Sequence, residues 1–105
     1  MTEADWKIFK QIKERAIESY CRICLDEFKA AIDDESSSVQ ERYLLNYKLV
    51  QNRDKKMQLL FDGNSRSKAW LQLLAIRGEG LADEILVAKL SAEFQEQTNP
   101  LRSKW

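Results

Sequence analysis

The chain contains no histidine, one proline, three glycines and two cysteines in 105 residues. Without histidine it lacks the side chain whose ordinary pKa lies near neutral pH, so acid–base work would fall to carboxylates or lysines with shifted pKa. Two cysteines cannot complete the four-ligand shell of structural zinc, which excludes a mononuclear site of that kind within one chain. Nor do Cys21 and Cys24 make a disulfide framework. A thioredoxin-like pair sits where a strand enters a helix N-terminus, whereas this C-x-x-C lies inside a helical apolar stripe. Its reading is packing as small hydrophobes, with a metal shared between two chains or adventitious oxidation as the alternatives. No apolar run approaches the ~18 residues needed to span a bilayer. Glu3 and Asp5 stand where a secretory leader would be basic and then apolar, so a cytoplasmic protein is expected.

What is present is a chain that is 44% hydrophobic and 32% charged, a balance that excludes disorder, collagen and low complexity. The length fits one domain with a modest core, with a loose tail from about 98. Net charge is zero but uneven. Residues 1–35 carry six basic and nine acidic groups, or −3; residues 36–82 carry eight and four, or +4; residues 83–105 carry three and four, or −1. Ends complementary to the middle suit an intramolecular or self-associating assembly, although so small an asymmetry can also mean nothing. General nucleic-acid binding would leave a basic excess in the total.

The apolar positions recur at helical spacing throughout, and no segment alternates as a strand does. Trp6, Phe9, Ile12, Ala16, Ile17, Tyr20, Cys24, Phe28 and Ala31 predict a first helix, capped by Thr2 with Asp5 three residues on and ending between Ile32 and Glu35. Ser38-Val39-Gln40-Glu41 fits the S-x-x-E capping box and opens a second helix that stops at Gly63. One stripe of that helix reads Val39, Tyr43, Tyr47, Val50, Asp54, Met57, Phe61, and a second face carries Leu45, Leu49 and Leu59. Two apolar faces predict a helix in the middle of a bundle, or one that meets another subunit. The run Ala69 to Ile76, with Gln72 its one polar member, is apolar all round and predicts a buried third helix. Asn64 or Ser65 would cap it and Gly78-Glu79-Gly80 would close it. A fourth helix is expected from Ala82 or Asp83 along Leu86, Val87, Leu90 and Phe94. The fold class is all-α, an up-down bundle of about four helices, two long and two shorter.

Four features bear on function. Asp54 is a carboxylate inside an apolar stripe; a buried acid needs a partner, and the candidates are Tyr20 and Lys13, which an antiparallel pairing of the first two helices brings near it, and Arg77. A structural contact is its primary reading and a catalytic acid the alternative, with Glu27 a lesser case. Asn64, Ser65, Arg66, Ser67 and Lys68 gather hydroxyls and cations at a helix start, which can hold an anion, but no phosphate-loop glycine pattern or strand precedes them. Gln72 to Leu90 permits a weak helix-turn-helix, opposed by Asp83 and Glu84 at the start of its reading helix. Finally, the chain carries ten aromatic residues, more than one small core readily absorbs.

These features predict a small non-enzymatic helical module for protein–protein interaction, self-associating and then binding another protein, with no cofactor or metal. The expected interface residues are Trp6, Leu45, Leu49, Trp70 and Trp105. The alternative is a nucleic-acid, nucleotide or anion-binding regulator using Arg53, Lys55, Lys56, Arg66, Lys68 and Arg77.

Overall fold

The structure, a computed structural model, describes residues 1–101. Five helices follow one another: α1 (Glu3–Asp33), α2 (Val39–Phe61), α3 (Ala69–Gly78), α4 (Glu84–Val87) and α5 (Ala92–Gln97). No strand occurs among the described residues. The fold is all-α. α1 and α2 form a long antiparallel hairpin, and α3, α4 and α5 pack as a head against the end of it that holds the N-terminus. The molecule is correspondingly elongated, 53 × 26 × 22 Å.

Local chemistry fixes the ends of the long helices. Thr2 accepts a hydrogen bond from the Asp5 amide, and the Ser38–Glu41 capping box forms in both directions at 3.1 Å. α2 stops at Asp62, and Gly63 follows with φ +85°, a conformation that costs glycine nothing and other residues more. Gly80 takes the same left-handed region, φ +72°, after α3. The last carbonyls of α2 then find donors elsewhere. Gln72 reaches the carbonyl oxygens of Leu60 and Asp62, and Lys13 donates to Gly63 O at 2.6 Å and to Asn64 Oδ1 at 3.1 Å. The single polar member of the apolar run thus serves the end of the neighbouring helix. Lys13 is buried, and burial holds its amine below the usual lysine range, with Asp62 acting in the opposite sense. Lys13→Met keeps the stem's packing and removes the donor, so it should lower stability by about 1–2 kcal/mol, read as a reduced urea midpoint at unchanged m.

Two apolar clusters hold the head. Trp6, Phe9, Ile12, Ala69, Leu73, Leu86, Val87, Leu90 and Phe94 form one, and Ala16, Tyr20, Cys24, Leu60, Phe61 and Ile76 form the other. Phe9, Ile12, Leu73 and Ile76 are almost wholly out of water, each worth about 1.5–3 kcal/mol of transfer free energy. Cys24 is buried in the second cluster and Cys21 half-buried at its edge, both as free thiols.

Three expectations about the helices are corrected. The region read as one fourth helix is two short ones, because Ser91 breaks the run and caps α5 by accepting from the Phe94 amide. α3 begins at Ala69, not at Asn64 or Ser65, since residues 65–68 close i→i+3 turns through the Lys68 and Ala69 amides. Nor is α3 buried all round. Ala69, Leu73 and Ile76 face the core, while Leu71 is exposed and Leu74 only half-buried, because the head covers one side of α3 alone. The chain expected to loosen from about 98 is still held there. Thr98 is fully buried, donates to Phe94 O and accepts from Arg77.

Candidate functional site

Most of the exposed large hydrophobic side chains lie on the hairpin. Beyond the head α1 and α2 continue as a two-helix arm that no other helix among the described residues covers. α2 runs for 23 residues, yet its only buried residues are Leu60 and Phe61, at the end that meets the head. On α1 the only buried residue beyond Cys24 is Ala31.

The seam between the two helices is narrow and partly polar. Tyr20 donates its hydroxyl to the Arg53 carbonyl at 2.7 Å, and the Arg53 guanidinium makes two 2.7 Å bonds to Glu27. That fork holds the Glu27 carboxyl below the usual carboxylate range. Toward the tip Arg42 donates to Ile32 O, capping the end of α1, and Arg42 Nε and Asn46 Oδ1 are buried without a partner. Burial pushes the Tyr20 phenol up to about 12.

The head occupies one side of this hairpin. On that side Ile23, Glu27, Lys56, Glu79 and Leu81 line a groove, crossed by the Lys56–Glu79 ion pair at 2.9 Å. The opposite side is bare. There Cys21, Leu25, Phe28, Val50 and Met57 line an apolar groove of ≈ 300 Å³. Helical spacing carries the same face toward the tip, through Ile32 on α1 and through Tyr47, Tyr43 and Val39 on α2. Tyr43 is 71% exposed, Val39 75% and Leu25 64%, values that belong to a surface and not to the flank of a core. Of the two alternatives for α2, the middle of a bundle or contact with another subunit, the first is corrected within one chain: the stripe from Val39 to Val50 points outward.

The sequence-derived candidates do not come together. Trp6 is corrected from interface to core: it is 8% exposed, stacked on Phe9 at 5.7 Å, with the Arg66 guanidinium over its ring. Leu45 and Leu49 lie toward the head side of α2, the former half-exposed and the latter half-buried. Trp70 is 37% exposed on α3, beside the start of α1. Trp105 lies outside the described residues.

Asp54 is likewise corrected. It is exposed at the rim of the apolar groove and, among the described residues, accepts from Gln58 alone. Its three proposed partners are engaged elsewhere, Tyr20 with Arg53, Lys13 with the end of α2, and Arg77 with Gln95 O and Thr98. The reason is register: one step along α2 turns a side chain by 100°, so Arg53 meets α1 and Asp54 does not. The buried acid of this protein is Asp5, 4% exposed, whose carboxyl accepts from the Ser91 amide at 2.8 Å and the Ser91 hydroxyl at 2.6 Å. Sequence reading took Asp5 for the partner of Thr2, and no local signal tells the two uses apart.

The cationic turn is spent on structure. Asn64 accepts from Lys13, Arg66 pairs with Glu3 at 2.9 Å, and the Ser65 and Ser67 hydroxyls bond each other. Of the six cations in the alternative reading, Arg53, Lys56, Arg66 and Arg77 are held by protein groups; Lys55 and Lys68 have no partner among the described residues. The helix-turn-helix is corrected as well, since α4 has four residues, too short to serve as a reading helix. No helix among the described residues is long and apolar enough to cross a membrane. Comparison with family models, with curated proteins and with solved structures finds no match to this chain.

Proposed function

We propose that this chain is a non-enzymatic helical module for protein–protein association in the cytoplasm, and that the bare face of the arm is its docking surface. The observation that carries the reading is apolar area. Leu25, Ile32, Val39, Tyr43, Tyr47 and Val50 are between 43% and 75% exposed on one side of two adjacent helices. Together they present on the order of 600 Å² of largely apolar surface, at the upper end of the ~300–600 Å² of the largest patch on an ordinary monomer. Two tyrosines near its centre add to the case, because tyrosine offers a large rigid contact area with a polar tip. The free thiols of Cys21 and Cys24 fit a reducing compartment. The nucleic-acid reading is the weaker one, as most of its cations already have protein partners.

Photo-crosslinking in cells tests the surface without presupposing its partner. A benzophenone side chain at Tyr43 or Tyr47 should yield discrete protein adducts, and one at Glu84 or Lys89, exposed on the head, should not. Equal adducts from all four positions, or none from the arm, would refute the reading.

A further inference from the structure

We infer that the occupant of the arm's bare face is a second copy of this chain, laid arm against arm with α1 over α2 of the other copy. The inference rests on the proposed reading of that face as a docking surface and adds its partner and its orientation.

Area is the first ground. The roughly 600 Å² presented by one copy, with the half-buried Phe28 and Met57 beside it, approaches the ~800 Å² that each partner gives to a standard stable interface, so two such faces suffice for one another without help from the head. The head also does not obstruct, because it packs on the other side of the hairpin, where Ile23, Lys56 and Glu79 lie. Two arms can therefore meet flat. A two-fold axis parallel to the arm makes the contact isologous, the commonest closed symmetry. It produces four antiparallel helices around a shared core of Leu25, Phe28, Ile32, Tyr43, Tyr47 and Val50.

Charge chooses the orientation. α1 carries six basic and seven acidic residues, or −1, and α2 carries five and two, or +3. Laying α2 on α2 opposes two like charges, whereas α1 on α2 opposes unlike ones. The seam within one arm gives a further reason for a cover. With Arg42 and Asn46 in it and two buried polar atoms unpartnered, the distal hairpin has little of its own to hold it together.

Sedimentation equilibrium of the full chain from low to high micromolar concentration decides the matter. Wild type should sediment as a dimer. Val50→Glu and Leu25→Glu, at exposed positions that leave the monomer's core alone, should weaken it roughly 30-fold or more, the size of a hot-spot loss. Ile23→Glu, equally exposed but on the head side of α1, should dimerise as wild type does, with circular dichroism confirming helix content in all three. A benzophenone side chain at Tyr47 of the purified protein should crosslink to α1 of the other copy.

A dimer indifferent to Val50→Glu and Leu25→Glu would overturn the inference, and a dimer in which Tyr47 crosslinks to α2 of the other copy would overturn the α1-on-α2 orientation. A wild-type monomer that still gives arm-specific crosslinks to another protein would sink the second copy and leave the docking surface standing. A monomer without arm crosslinks would remove both.

Discussion

Asp5→Ala is expected to lower the unfolding free energy by about 3 kcal/mol, a loss set by burial and not by charge count. Asp5 stands in the first turn of α1, where its amide is already bonded to Thr2. Its carboxyl turns inward and takes both the amide and the hydroxyl of Ser91, 86 positions along the chain. Ser91 is in turn the cap of α5. Removing the acceptor leaves the Ser91 amide without its partner and unpins the segment that carries Leu90 and Phe94 into the first core cluster. Urea unfolding gives the magnitude, and hydrogen exchange at residues 91–98 shows whether α5 opens first. Asp54→Asn is the control, because an exposed side chain bonded, among the described residues, only to Gln58 should change stability by no more than ~0.5 kcal/mol. If Asp54→Asn proved the costlier of the two, the assignment of the structural acid would be wrong.

The second large effect is alkaline. Tyr20 titrates near 10 in an unfolded chain and at about 12 in the fold, first because burial disfavours its phenolate. A raised folded pKa contributes stability that is whole below the unfolded pKa and is lost as pH climbs through the folded one. Between about pH 10 and 12 the protein should therefore lose on the order of 3 kcal/mol from this one group. Tyr20→Phe should abolish that limb and cost about 1 kcal/mol at neutral pH, through the lost bond to the Arg53 carbonyl. Urea midpoints measured at intervals from pH 8 to 12 distinguish the outcomes. An unchanged alkaline slope in the phenylalanine variant would refute the assignment of the slope to Tyr20.

The elements most legible in the sequence were those whose causes are local. The Thr2 cap, the Ser38–Glu41 box and the glycines that end α2 and follow α3 each act within four residues of where they stand. Spacing by three and four likewise identified Phe9, Ile12, Ala16 and Tyr20 as the inward stripe of α1. The candidate site was legible only in half. The tyrosine stripe of α2 was plain, but its facing was not, since a period tells which residues share a side and not what lies across from it. Asp54 was misplaced by one residue of register, and Trp6 was given to a surface because an aromatic at a chain end reads the same in either setting.

By itself, then, the sequence determined that the protein is helical and where its two long helices begin and end. Only the tertiary structure decided that three short helices gather at one end, that Asp5 and not Asp54 is the buried acid, and that one face of the arm is left open. The physical reason is range. Caps, turns and periodicity are set by neighbours along the chain, whereas burial depends on which distant segment arrives, and α3 to α5 are too short to reach the far half of a 31-residue helix.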